Sequence, residues 1–298
     1  METKFYSPVV TAMTSDGKYD ELSNELIIDH VINNGIDGIV LLGSSGEFFA
    51  FNLEEKKQLI KHSFDYVNGR TELIVGTGSL SIEETIELSQ YCEEIGINDI
   101  IVIAPYYFSI NEDSIYEFYS KIAKSVSINI YLYNYPDRTG YNIDSEVVLR
   151  LLRTYPNIIG YKDSSSDYSH IKQIITMVLP EFPNFSVYTG VEDFYTSIVL
   201  LGGKGAIGAL SNIRPDLCKG LVEAFKENQL ELIRKYQSKL SLLAELYKVN
   251  LPFIPTLKYA LQLNGLDIKN HSSFPFNELN ETQKIKVTDI LKRVNELK

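Results

Sequence analysis

DIIVIAP (99–105), INIYLYN (128–134) and NIIGYKD (157–163) are short runs in which Val and Ile dominate. That composition suits strands buried on both faces. Each run is followed by a stretch with helical spacing. After the first, Ile115, Phe118, Ile122 and Val126 fall at i, i+3, i+7 and i+11, on one helix face. Buried strands alternating with amphipathic helices imply a parallel sheet joined by right-handed crossovers.

The pattern extends in both directions. SPVVTAM (7–13), DGIVLLG (37–43) and ELIVGTG (72–78) precede these runs, and FSVYTG (185–190) and KGAIGAL (204–210) follow, giving eight candidate strands. Leu59 or Ile60, Phe64 and Val67 mark another helix face. Asn52, Ser81, Asn111 and Asp144 read as helix N-caps, several with acidic residues in the next turn. Eight such units predict an α/β fold, the closed (β/α)8 TIM barrel, for which about 250 residues is typical. The rival is an open, doubly wound sheet. Its usual nucleotide-binding versions lose support because no GxGxxG follows a strand and no GxxxxGK[ST] occurs. Past the eighth unit, Ile233, Tyr236, Leu240, Leu243 and Tyr247 recur at three-to-four spacing, and helical segments follow near 255–264 and 280–297. The expected organisation is a barrel over residues 1–228 carrying the active site. A C-terminal helical extension over 229–298 packs on it as part of one structural unit.

Composition narrows the function. Of 298 residues, 44% are hydrophobic and 22% charged, enough for a full core and unlike a disordered chain. Lys plus Arg number 28 against 39 Asp plus Glu, a formal charge of −11. Nucleic acids and anionic membranes are therefore not expected partners, since phosphate affinity needs clustered basic charge. Cys92 and Cys218 are too few for a disulfide framework or a thiolate zinc site. METKFYSPVV lacks a signal-peptide pattern, and no apolar run approaches the ~20 residues of a membrane span. The expectation is a cytoplasmic protein.

Active-site groups in such a barrel come from the C-terminal ends of the strands. Those ends carry Gly43-Ser44-Ser45-Gly46-Glu47, Thr77-Gly78, Pro105-Tyr106-Tyr107, Tyr133-Asn134-Tyr135-Pro136, Lys162-Asp163, Thr189-Gly190 and Ile207-Gly208. Lys162 is the unusual member. Burial disfavours an ammonium, and a neutral amine can form a Schiff base with a ketone. Otherwise it is a strand-end lysine that reaches solvent or pairs with Asp163. Tyr133 is a candidate proton carrier or a core tyrosine. The GSSGE turn offers hydroxyls and backbone N–H groups to a carboxylate, or is an ordinary glycine-rich turn. Arg138 is a fork for a second substrate carboxylate, or a surface arginine. Glu192 and Asp193 accept hydrogen bonds from sugar hydroxyls, or open a helix. His30, His62, His170 and His271 show no HxxxH or HxH spacing. The first three fall on helices away from the predicted mouth and read as surface or packing residues.

The order GSSGE, GTG, PYY, YNYPxRTG, GxKDSS, TGxED, GGxGAIG resembles the dihydrodipicolinate synthase and N-acetylneuraminate lyase family across the whole chain. The most specific part is YNYPDRTG followed by GYKDSS. The resemblance implies a class I, pyruvate-dependent aldolase that needs no cofactor and no metal. It implies that Lys162 forms the imine with pyruvate and that Tyr133 shuttles protons. Ser44 and Ser45 hold the keto-acid carboxylate, with Ser44 in the proton relay. Tyr107 reaches a neighbouring subunit's site, and Ile207 offers a backbone carbonyl. Gly190 belongs to the substrate site. The implied partners are pyruvate and an aldehyde, and the implied assembly is a homotetramer built as a dimer of dimers.

Subfamily signals diverge. Arg138 resembles the synthase arginine that orients aspartate semialdehyde. Ser44-Ser45 departs from the Thr-Thr typical of the synthases, PYYFSIN resembles the sugar-acid aldolases, and Glu192 and Asp193 align with positions that hold sugar hydroxyls in the lyases. Phe49, Leu53, Lys56 and Leu80 occupy positions that bind feedback lysine in many synthases and are poorly suited to it, so no lysine inhibition is expected. The leading expectation is condensation of pyruvate with aspartate semialdehyde. The alternatives are reversible cleavage of a 2-keto-3-deoxy sugar acid and a non-catalytic keto-acid sensor.

Overall fold

A computed structural model describes residues 2–297. Its eight parallel strands form a closed barrel in the order β1 to β8. They are β1 (Lys4–Pro8), β2 (Gly38–Leu41), β3 (Glu72–Gly76), β4 (Asp99–Ile103), β5 (Asn129–Asn134), β6 (Ile158–Asp163), β7 (Ser186–Thr189) and β8 (Gly205–Ile207). The helices between them are α1 (Glu21–Asn33), α2 (Leu53–Val67), α3 (Ile82–Glu94), α4 (Glu112–Ser125), α5 (Pro136–Thr139), α6 (Ser145–Leu152), α7 (Tyr168–Val178) and α8 (Tyr195–Leu200). After β8 come α9 (Pro215–Lys226), α10 (Leu230–Leu243), α11 (Ile254–Leu263) and α12 (Glu281–Glu296). The expected α/β barrel with further C-terminal helices is what the chain forms. Among the described residues no helix is long and apolar enough to cross a membrane.

The chain divides into two compact units. One runs through Glu72 and resumes at Gly208; the other is Leu73–Ile207. In the first, Tyr6, Ser7 and Pro8 of β1 pair with Gly38, Ile39 and Val40 of β2, and α10 packs on α9 and α12. The expected first strand began at residue 7, but β1 starts at Lys4. Residues 9–13 are buried as anticipated. However, Val10 N–H donates to Asn212 Oδ1 and Ala12 N–H to Asn24 Oδ1. Side-chain amides thus take over where the ladder stops.

In the second unit, β5 and β6 decide the site. Ile130 faces Ile158 but Tyr131 faces Gly160, so Ile159 is an extra residue and the register slips. Above the slip, Tyr133 faces Lys162 and Asn134 faces Asp163. Strand alternation puts Tyr131, Tyr133, Gly160 and Lys162 on one face and Asn134, Tyr161 and Asp163 on the other. Gly160 must be glycine, because a Cβ there would lie 2.1 Å from the Tyr131 ring. The caps at Asn52, Ser81 and Asn111 form through their side chains. Asp144 makes no side-chain cap bond; its carboxylate lies 3.5 Å from His170 Nε2 instead. On α4 the most buried stripe is Ile115, Tyr119 and Ile122, with Phe118 half-buried. Tyr119 wins that place because its hydroxyl donates to Val102 O at 2.9 Å, which satisfies its polar end inside the core.

Candidate active site

Lys162 lies near the C-terminal end of β6, only 5% exposed. Its Nζ sits 4.3 Å from the centroid of the Tyr133 ring. Among the described residues, no carboxylate lies within ion-pair distance of it. Burial pulls its ammonium from the ordinary 10.5 down to about 7, and the Glu192 carboxylate opposes part of that fall. A substantial fraction is therefore neutral near pH 7, the state a nucleophilic amine requires.

Asp163, next in the chain, does not pair with Lys162. Pointing to the other face, it accepts from Asn134 Nδ2 at 2.8 Å and from Ser165 N–H at 2.9 Å. It also meets His170 Nδ1 at 2.6 Å. Burial by itself would lower the His170 pKa. The hydrogen bond and charge of Asp163, with Asp144 and Asp167, outweigh that and raise it. His170 is a buried packing residue, as one of the sequence readings had it, and it also anchors the strand that carries Lys162.

Tyr133 is buried at the level of Lys162. Ser164 Oγ lies 3.5 Å from its hydroxyl. Tyr135 stacks on Tyr133 with centroids 5.8 Å apart and planes at 23°. Burial, then the neighbouring Tyr133, push the Tyr135 phenol up to about 12. The Arg138 guanidinium lies 5.2 Å from the Tyr135 ring centroid. Its Nη1 donates to Asp137 O at 3.3 Å, and the residue is otherwise exposed.

Gly190 follows β7 and approaches the lysine closely. A Cβ there would lie 2.0 Å from Ser164 Oγ and 3.2 Å from Lys162 Cε. Glu192, two residues on, is 1% exposed and opens a short 3-10 turn. The structure thus brings Lys162, Tyr133, Gly190 and Glu192 together, with Arg138 linked through Tyr135.

The other expected residues stand as follows. Ile207 ends β8 and is buried. Tyr107 is 81% exposed, with a positive φ of 89°, and its ring meets Phe108 edge-on at 4.8 Å. In the first compact unit, Ser45 is buried and Ser44 half-buried in the turn after β2. There Gly46 N–H donates to Gly43 O at 3.0 Å and Glu47 N–H to Ser44 O at 3.2 Å. Sequence reading passed over Lys258 altogether, although it is fully buried against Glu47. Its position on a helix carried no motif. Among the described residues, no three His, Cys, Asp or Glu are grouped as metal ligands.

The model of the dihydrodipicolinate synthetase family matches residues 2–294. YagE of Escherichia coli K12, provisionally named a 2-dehydro-3-deoxy-D-gluconate aldolase, is 33% identical over 292 residues, 98% of this chain and 97% of YagE. Its crystal structure in complex with pyruvate superposes with a TM-score of 0.96, covering 99% of each chain. YjhH of the same organism, provisionally named a 2-dehydro-3-deoxy-D-pentonate aldolase, is 34% identical over 95% of this chain and 94% of YjhH. The 4-hydroxy-tetrahydrodipicolinate synthase of Methanococcus maripaludis is 30% identical over 98% of each chain. A whole-length family match, the barrel itself and relatives of 30% identity or more place this chain in the dihydrodipicolinate synthetase family, as a pyruvate-dependent lyase of the class I aldolase type.

Proposed function

We propose that this aldolase acts reversibly on a 2-keto-3-deoxy sugar acid, interconverting it with pyruvate and a neutral hydroxyaldehyde. The carrying observation is Glu192. Its buried carboxylate lies close enough to Lys162 to hold up the lysine's affinity for a proton. A carboxylate there accepts hydrogen bonds from substrate hydroxyls and opposes a second substrate carboxylate. The names of YagE and YjhH support the same reading.

In this reading neutral Lys162 attacks C2 of the keto acid, the Tyr133 phenol gives its proton to the departing hydroxyl, and water leaves a protonated imine beside a phenolate. That phenolate takes the proton of the C4 hydroxyl as the C3–C4 bond breaks. The electron pair flows into the imine, giving an enamine and the free aldehyde. Protonation of the enamine at C3 and hydrolysis then release pyruvate and restore Lys162. We assign Ser44 and Ser45 to the keto-acid carboxylate, with Ser44 also in the proton relay, and the Ile207 carbonyl to the substrate site. Gly190 supplies clearance beside the lysine. The exposure and strained φ of Tyr107 support its assignment to a neighbouring subunit's site, in a homotetramer arranged as a dimer of dimers.

Comparing kcat/KM for pyruvate with glyceraldehyde, N-acetylmannosamine and aspartate semialdehyde tests this reading. A neutral hydroxyaldehyde should win by about tenfold or more, and Glu192→Gln should narrow the gap. Preference for aspartate semialdehyde would overturn it. One residue favours that second reading: Arg138 in YPDRTG offers a guanidinium fork. If it holds, Arg138→Ala should depress turnover of the semialdehyde far more than that of glyceraldehyde.

A further inference from the structure

Glu47 and Lys258 form an ion pair in which both side chains are 0% exposed. Lys258, on α11, donates to Glu47 Oε1 at 2.5 Å and to His271 O at 2.6 Å. The other carboxylate oxygen, Glu47 Oε2, accepts from Ser273 N–H at 2.7 Å and Ser273 Oγ at 2.8 Å. Burial lowers the lysine's proton affinity and the Glu47 charge resists it. Residues 271 to 273 are held on their other side too, by an isolated bridge between His271 and Met13 just beyond β1.

A buried ion pair is a poor source of stability, because apolar side chains of similar volume often do as well. What the pair does here is local. Glu47 closes the turn that carries Ser44 and Ser45. That turn is bracketed by two non-glycine residues in the left-handed region, Leu42 at φ 51° and Glu47 at φ 55°. Such backbone persists only where its surroundings over-determine it. From the β1 side, Thr11 Oγ1 donates to Gly46 O at 2.8 Å. From the C-terminal side, Lys258 and Ser273 grip the Glu47 carboxylate. That grip is on the Glu47 end of the turn, three residues from Ser44 and two from Ser45.

We propose that Glu47, Lys258 and Ser273 are positioning residues that fix the Ser44–Ser45 turn for the keto-acid carboxylate, so that the helical C-terminal region sets pyruvate affinity. This rests on the assignment of that turn to the carboxylate made above. The reader of the effect is the pyruvate concentration dependence of borohydride trapping on Lys162, which needs no aldehyde. The double variant Glu47→Met with Lys258→Met removes both charges at similar volume. Circular dichroism and Tm report whether it is folded. The expected result is a rise of about tenfold or more in the pyruvate concentration giving half-maximal trapping, with the maximal trapping rate changed less than about threefold. Ser273→Ala deletes one donor and decides the matter even if the double variant does not fold. It should raise half-saturation by about threefold, and Ser273→Thr, which keeps the hydroxyl, should restore it. Folded variants with unchanged half-saturation, beside a wild type that traps pyruvate on Lys162, would overturn this inference and leave the function above intact. A wild type that traps nothing would overturn both.

Discussion

Tyr133 and Lys162 stand opposite one another on adjacent parallel strands, with the lysine Nζ 4.3 Å from the tyrosine ring centroid. The pairing follows from one extra residue, Ile159, which shifts the register of β6 so that both side chains share a face. An amine prepared to lose its proton therefore lies against the phenol assigned to carry protons.

Lys162 weakens the fold that holds it. Its ammonium loses affinity for a proton on burial, from 10.5 to about 7. Below pH 7 folded and unfolded chains both carry the charge, and the cost of burying it is full. Between those values the unfolded chain binds more protons, so the cost falls as pH rises and vanishes above the ordinary lysine value. Lys162→Met should therefore be inactive yet more stable, by on the order of 3 kcal/mol near pH 6 and by less near pH 9. Thermal melts of both proteins at the two pH values check this; a variant less stable than wild type at both would contradict it.

Tyr133→Phe keeps the ring beneath the ammonium and removes the hydroxyl. Loss of a positioned acid–base group typically costs about a hundredfold or more. We expect kcat to fall by at least that factor while pyruvate still accumulates on Lys162, though slowly. Steady-state rates beside single-turnover trapping separate the two effects. A kcat within about threefold of wild type would remove Tyr133 from the proton pathway.

Gly190→Ala places a methyl 2.0 Å from Ser164 Oγ and 3.2 Å from Lys162 Cε. Activity should fall by more than about tenfold. Ser164→Gly in the same chain removes the closest obstruction, so the double variant should recover part of the loss. A double-mutant cycle measures that coupling; strict additivity would show that the Ser164 contact is not what the methyl disturbs.

His170 anchors β6 from behind. Its raised pKa means that the folded state prefers the imidazolium, facing Asp163, Asp144 and Asp167. That stabilisation is complete below the ordinary imidazole value of 6.5 and is lost as pH climbs through the raised folded value. Replacing His170 by Gln should cost more stability near pH 6 than near pH 9. Paired melts at those pH values report it, and a penalty that grows with pH would contradict the assignment.

Strand positions were legible because each run of Val and Ile is buried on both faces, and burial is what such composition encodes. The offset at β1 has the same origin. Residues 9–13 are as apolar and buried as a strand, but Asn24 and Asn212 bond their backbone, and both lie too far along the chain for local pattern to reveal. Lys162 stood out because a lysine within an apolar run demands explanation. Tyr133 did not stand out by type in a chain with 20 tyrosines; the strand-end position and the neighbouring YPDRTG picked it out. The Glu47–Lys258 pair was illegible. Its members are 211 positions apart, and a lysine on a helix resembles any solvated lysine until the fold closes over it. Asp163 and His170 were missed as partners because the link joins a strand to the following helix, and GYKDSS stops short of the histidine.

On the assignment made above, Lys162 becomes covalently bonded to C2 of pyruvate. Wild-type protein treated with pyruvate and borohydride, digested and mapped by mass spectrometry, should carry the reduced pyruvyl group on the peptide containing Lys162. The yield should rise with pH through about 7. An unmodified Lys162, or an adduct on a different lysine, would contradict the account.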